Sequence, residues 1–213
     1  VLSRYLASEI PMRHLMLATA LVLPLSGCFD ADVTLDFKDA ATVETVMDFS
    51  MTRQLFDMGG KSPADACEDG RHELTTDRFT CRTAKTMTLD EFIAEAAARD
   101  SEAPADRLRN AALVERLGTE RLRVTLDFAD MVKGGDEMRE MRAMAGVMRA
   151  ALAGHSLVFR IRAPKIDDTT GTLSQDGKTA EYILPLTVML DDTQPAAFVT
   201  TVTLKSCTLW IFC

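Results

Sequence analysis

DVTLDFKDAATVETVMDFSM, residues 32–51, decides the fold class. Val33, Leu35 and Phe37 alternate with Asp32, Thr34, Asp36 and Lys38, and Val43, Met47, Phe49 and Met51 fall on one side of a second run. Successive side chains of a strand point to opposite faces, so this period of two predicts strands with one buried and one solvated face. The pattern returns at Leu122, Val124, Leu126 and Phe128, and at Leu157, Phe159 and Ile161. It returns again from Tyr182 through Leu184, Leu186 and Val188 to Leu190, and at Phe198, Val202 and Leu204. Gly171 and the pair Asp176-Gly177 read as turns between these runs. One-sided strands of this kind belong to antiparallel sheets.

Helical patterns separate the two groups of strands. TLDEFIAEAAAR, residues 88–99, opens with Thr88 as N-cap and carries Asp90 and Glu91 in its first turn, where negative charge suits the helix dipole. APADRLRNAALVERLG, residues 103–118, has Pro104 near its start and Gly118 as its stop. GDEMREMRAMAGVMRAALAG, residues 135–154, sets Met138, Met141, Ala145, Met148 and Leu152 along one face, with Arg139, Arg142 and Arg149 mostly away from it. These elements predict an α+β domain, an antiparallel sheet packed on one face by two or three helices. VTLDFKD at 33–39 and VTLDFAD at 124–130 agree at six of seven positions, but the agreement stops there and reflects shared strand grammar rather than duplication.

The N-terminal segment reads as an address. Leu15 to Leu25 is an apolar run of about eleven residues behind Arg13, a signal-peptide core well short of the roughly 20 residues a spanning helix needs. Leu25-Ser26-Gly27-Cys28 resembles the bacterial lipobox, whose cysteine takes diacylglycerol on its thiol and, after cleavage, a fatty acyl group such as palmitate on the new amino terminus. We therefore read residues 1–11 as an upstream extension, 12–27 as a lipoprotein signal peptide and 28–213 as a single mature domain. Asp30, at the third mature position, does not by itself separate inner from outer membrane.

The mature segment carries 22 basic and 31 acidic side chains. That balance argues against nucleic acid, whose phosphates require a basic footprint, and against electrostatic docking to anionic lipid. Acyl chains on Cys28 are then the membrane contact. With Cys28 lipidated, Cys67, Cys81, Cys207 and Cys213 form an even set in an oxidising compartment, which points to disulfides. Three pairings exist. The simplest has a local Cys67–Cys81 bridge closing a loop of about fifteen residues, worth roughly 3 kcal/mol in the chain-entropy model. Pairing Cys207 with Cys213 requires a turn or helix in SCTLWIFC, since one straight strand would hold them about 20 Å apart.

Sites for chemistry are sparse. Met138, Met141, Met144 and Met148 offer thioethers that could hold Cu(I), but they fall on the stripe that must be buried, and methionine also fills cores and adaptable grooves. GGKS at 59–62 lacks the glycine of a phosphate loop, since position 55 is Leu55. His72 and His155 are the mature segment's histidines, with no nucleophile elbow, zincin or Cys-x-x-Cys pattern around them. Glu68, Asp69 and Asp77 read as an acidic solvated loop without EF-hand spacing. No cofactor or metal is expected.

FRIRAPKIDDTTGTLSQDGKTAEYILPLTVMLDD, residues 159–192, resembles the segment of LppM-like lipoprotein domains in which a strand ends at a proline and a dGxtvxWxlp pattern follows. Here DGKTAEYILP stands in that place, with Tyr182 for the tryptophan and Lys165 where glycine often follows the proline. The resemblance implies an α+β envelope domain binding lipid or glycolipid, and it carries over no catalytic residue. The expectation is a periplasm-facing, non-catalytic lipoprotein that binds an amphipathic ligand or an envelope partner between sheet and helix. Its lining candidates are Met47, Phe49, Met51, Met138, Met141 and Met148. The alternatives are an envelope enzyme working through carboxylates such as Asp36 and Asp127, and a copper carrier using the methionine helix.

Overall fold

The computed structural model describes residues 29–97, 112–129, 142–191 and 194–204. Alternation becomes pairing along all of β1 (Phe29–Phe37) and β2 (Thr42–Thr52), an antiparallel hairpin whose register runs from Phe29 opposite Met51 to Phe37 opposite Val43. Its turn is closed by Asp39, whose carboxylate accepts hydrogen bonds from the Ala41 and Thr42 amides at 2.8 Å and from the Thr42 hydroxyl at 3.1 Å. Partial burial works against the Asp39 charge, but these donors outweigh it and hold the carboxyl below its usual pKa.

Seven strands make the first sheet, in the order β3 (Arg71–Leu74), β4 (Arg78–Thr88), β2, β1, β7 (Ser156–Arg162), β10 (Thr179–Pro185), β9 (Thr172–Leu173). All neighbours are antiparallel except β1 and β7, which run parallel. Four strands make the second, in the order β5 (Ala112–Arg116), β6 (Arg121–Leu126), β11 (Phe198–Thr203), β8 (Lys165–Thr169). Inward residues of both sheets, among them Leu35, Phe37, Phe159 and Ile161 from one and Val114, Val124, Leu126 and Val202 from the other, share one buried cluster.

The helix-covered sheet expected from the sequence is therefore corrected: the fold is mostly β, and a second sheet lies where helices were expected. The described helices are short: α1 (Arg53–Met58), α2 (Pro63–Ala66), α3 (Leu89–Ala97) and α4 (Ala145–Leu152). Period-two alternation tells a strand which face is apolar, but not which sheet it joins. ALVER, expected in a helix, is β5, with Ala112 and Val114 buried opposite Leu126 and Val124 of β6. Its helix-favouring composition yields to the exposed edge of β6, as tertiary context commonly overrides propensity. The strand expected from Tyr182 to Leu190 ends at Pro185, and Leu186–Leu190 is a 3₁₀ helix. No helix among the described residues is long and apolar enough to cross a membrane.

α3 starts as the sequence predicts. The Glu91 amide donates to the Thr88 hydroxyl, while the Glu91 carboxylate accepts from the Thr88 amide and hydroxyl at 2.9 and 2.8 Å. This reciprocal cap seats Phe92 edge-on to Phe37, with ring centroids 6.0 Å apart.

Across the two sheets runs a stack of aromatic rings. Phe128 lies 4.8 Å from Phe159 and 5.3 Å from Tyr182, and Tyr182 lies 5.5 Å from Phe198. The Tyr182 hydroxyl donates to the Ala196 carbonyl at 3.1 Å, giving the one polar atom of the stack a partner. Gly171 touches this layer so closely that a Cβ would stand 2.4 Å from the Glu181 carbonyl oxygen and 2.7 Å from the Phe198 ring.

A satellite core lies at the β3–β4 side. Phe56 of α1 stacks on Phe79 at 4.3 Å, and the Cys67–Cys81 disulfide, Cα atoms 5.6 Å apart, ties the α2 loop to β4. The bridge expected from the sequence is present.

Candidate functional site

Between the sheets lies a cleft of about 560 Å³, within the usual range of roughly 300 to 1,000 Å³ for small-molecule sites. Val33 and Leu35 of β1, Met47 of β2, Met87 of β4, Phe92 of α3 and Phe159 of β7 line one side, and Ala112 and Leu126 of the second sheet face them. The space exists because small side chains occupy core-facing positions: Thr45 stands in register between Leu35 and Lys85, Thr83 between Met47 and the β4 edge, and Ala112 at the start of β5.

The mouth is polar. Lys85 lines it and reaches the Glu95 carboxylate at 2.9 Å, and Glu68 and Asp69 approach from the loop after the disulfide. Asp69 is left-handed, φ 58°, a conformation that aspartate tolerates better than most residues. Gly70 lets this loop lie against β4, since a Cβ there would come within 2.8 Å of the Arg82 carbonyl oxygen and 2.5 Å of the Cys67 sulfur.

One polar atom in the cleft has no partner. The Thr45 Oγ1 is shielded from solvent and makes no hydrogen bond. An unpaired buried hydroxyl costs about 1–3 kcal/mol.

The outer face of the seven-stranded sheet carries two open, polar grooves. One, of about 550 Å³, runs over Asp30, Asp32, Asp48, Glu73, Arg71 and Arg82. At its edge the buried His155 places Nδ1 3.1 Å from both oxygens of Asp30, which also accepts from the Ser156 amide. Beside it Arg160 bridges Asp32 and Glu181 across β7. Burial opposes the Arg160 charge, but the two carboxylates more than compensate and raise its pKa. The other groove, of about 540 Å³, holds Asp36, Lys38, Arg162, Asp176 and Lys178. Both are dominated by ion-paired or solvated side chains, whereas the interlayer cleft is apolar and more enclosed.

Of the residues expected to line a site, Met47 is in the cleft. Phe49 and Met51 share its face of β2 but pack on the satellite core over the disulfide. Met148 sits half-buried on α4, which packs on the 3₁₀ helix beyond the sheet ends and is fastened there by Arg149 to Asp191 at 2.8 Å. Met138, Met141, Cys28, Cys207 and Cys213 lie outside the described residues. Asp36 lies in β1 of the first sheet and Asp127 just past the end of β6 of the second, where its carboxylate accepts from the Ala129 amide. His72 is exposed on β3. Among the described residues no group of three or more His, Cys, Asp or Glu converges as a metal site would require.

Thr45, Lys85, Met87 and Phe159 complete the cleft without having been expected there. Thr45 did leave a signal: it interrupts the apolar series Val43, Met47, Phe49 at a position that must face the core.

No known family profile matches the chain, and no curated protein matches it. Among solved structures, the folded domain of the Mycobacterium tuberculosis LppM protein, determined by NMR, superposes with a TM-score of 0.50 at 9% identity, covering 84% of this chain and 92% of that one. The two share a fold.

Proposed function

We propose that this protein is a non-catalytic envelope lipoprotein, anchored through acyl chains on Cys28, whose interlayer cleft takes up the apolar part of a lipid or other amphipathic molecule. The observation that carries the reading is a cleft of about 560 Å³ walled by aliphatic and aromatic side chains. A dry core would leave almost no water-sized voids. Lys85, with Glu68 and Asp69, supplies the polar mouth at which a head group would remain in water. The lipobox-like Leu25–Cys28 and the fold shared with the LppM domain support the same setting.

The test is a titration with N-phenylnaphthylamine, a dye that brightens in apolar pockets, followed by displacement with phospholipid or fatty acid. Wild type binds the dye and releases it to lipid; Thr45→Phe, which fills the cleft, does not bind it. Equal dye binding by both proteins would place the apolar site elsewhere. Mass spectrometry of the N-terminal peptide from native membranes tests the anchor separately, and an unmodified Cys28 there would refute it.

A further inference from the structure

β1 leaves no room for a tether. Phe29, the residue directly after Cys28, is already paired with Met51 and packs its ring 6.3 Å from Phe49. Consecutive Cα atoms lie ~3.8 Å apart, so an acyl anchor on Cys28 would attach within one residue of the start of β1, a strand that is fourth of seven in its sheet. With no linker, an anchor there can join the domain only at this end of the sheet.

The strand register shows what shares that end. β2 finishes there and runs into α1, whose Arg53 amide donates to the Asp77 carbonyl of the β3–β4 turn. β7 starts there, one short turn after α4, and β10 finishes there and passes into the 3₁₀ helix. The two most exposed of the large apolar side chains described are Met58, 70% exposed at the end of α1, and Met144, 59% exposed at the start of α4. Of the cations at this end, Arg53 pairs with Asp57 and Arg149 with Asp191, Arg78 donates to the Ser50 hydroxyl, and Lys61 is exposed in the loop after α1.

We propose, building on acylation of Cys28, that this end of the domain lies directly on the bilayer, with Met58 and Met144 seated in the interfacial layer on either side of the anchor. The occupant is lipid because the chain supplies no residue between the acylated position and β1, so the membrane lies within a side chain's reach of this end. The contact made by Met58 and Met144 is apolar and, together with the acyl chains, persists at high salt, where any attraction of exposed Lys61 is screened. The Asp39 hairpin and the Asp176-Gly177 turn, at the far end of a sheet whose nine-residue β1 spans about 30 Å, point away from the bilayer.

Single-tryptophan variants of the acylated full-length protein test this. Met58→Trp, Met144→Trp and, at the far end, Lys178→Trp are each made with Trp210→Phe and reconstituted into phosphatidylcholine–phosphatidylglycerol vesicles with acyl chains brominated near the glycerol. The Met58→Trp and Met144→Trp variants are expected to lose about half their emission, because interfacial side chains sit within roughly 5–10 Å of the acyl boundary, with no change for Lys178→Trp and no reversal in high salt. If Cys28 is acylated and the protein is vesicle-bound, yet 58 and 144 are quenched no more than 178, the orientation is refuted while the anchor stands. If the mass of the N-terminal peptide shows Cys28 unmodified, anchor and orientation fall together.

Discussion

Thr45→Val removes one oxygen from the cleft wall and keeps the β-branched shape, so it isolates the hydroxyl's contribution. Thr45 Oγ1 is shielded from solvent and has no hydrogen-bond partner, and a buried hydroxyl left unpaired costs about 1–3 kcal/mol. Replacing it with a methyl group relieves that cost and leaves no new cavity. The lipid-free variant should be more stable than wild type by about 1–2 kcal/mol, which for a domain of this size raises Tm by roughly 2–8 °C. Ligand affinity should stay the same, because the hydroxyl is shielded from the space a bound molecule would fill. Thermal unfolding of delipidated protein, followed by circular dichroism, and dye-displacement titration read the two effects on the same samples. A drop in Tm would show that the hydroxyl is satisfied in the free protein. A rise in Tm with affinity weakened about fivefold or more, about 1 kcal/mol, would show that the bound molecule reaches the hydroxyl after all.

Gly171→Ala should cost about 1–3 kcal/mol in denaturant unfolding, because the new Cβ would lie 2.4 Å from the Glu181 carbonyl oxygen at the aromatic stack; an unchanged midpoint would contradict the close approach. Reducing Cys67–Cys81, whose cysteines are 14 residues apart, should destabilise by about 3 kcal/mol and free the Glu68–Asp69 rim, read as faster proteolysis of that loop. Acid should also destabilise. Asp39 is held below its usual pKa by backbone and hydroxyl donors that outweigh its burial, Asp167 chiefly by Lys165 and Thr203, Asp176 by Ser174 and the Lys178 amide, and Glu91 by Thr88. Depressed carboxylates bind fewer protons folded than unfolded, so their stabilisation is present above the unfolded values near 4 and is lost as pH falls through the folded ones. Tm should be flat from about pH 7 to 5 and fall below about pH 4; a Tm that rises on acidification would overturn the assignment.

The local part of this fold was legible because it is written in nearest-neighbour chemistry. Alternation at Val33–Phe37 and Leu122–Phe128, the Thr88 cap and the Cys67–Cys81 loop each depend on a few adjacent residues, and each is where the sequence placed it. What failed was non-local. ALVER carries helix-favouring residues and becomes a strand because β6 offers it an edge, and LTVML alternates like a strand but follows Pro185, which ends β10. The two VTLDF segments diverge, since the first lies wholly in β1 while the second leaves β6 after Leu126, in another sheet with different neighbours. The cleft was half visible: Met47 was named, while Phe159 and Met87 reach it through strand order that one-dimensional pattern does not encode.

The most direct test of the central claim is lipid mass spectrometry on organic extracts of an exported Cys28→Ala protein, which lacks acyl chains of its own, compared with Cys28→Ala carrying Thr45→Phe. Wild-type cleft geometry should yield co-purified lipid at about one molecule per protein, the occupancy a single small-molecule cleft allows, and the filled cleft should yield none. Lipid absent from both, or present equally in both, would contradict a lipid-binding role for the cleft between the sheets.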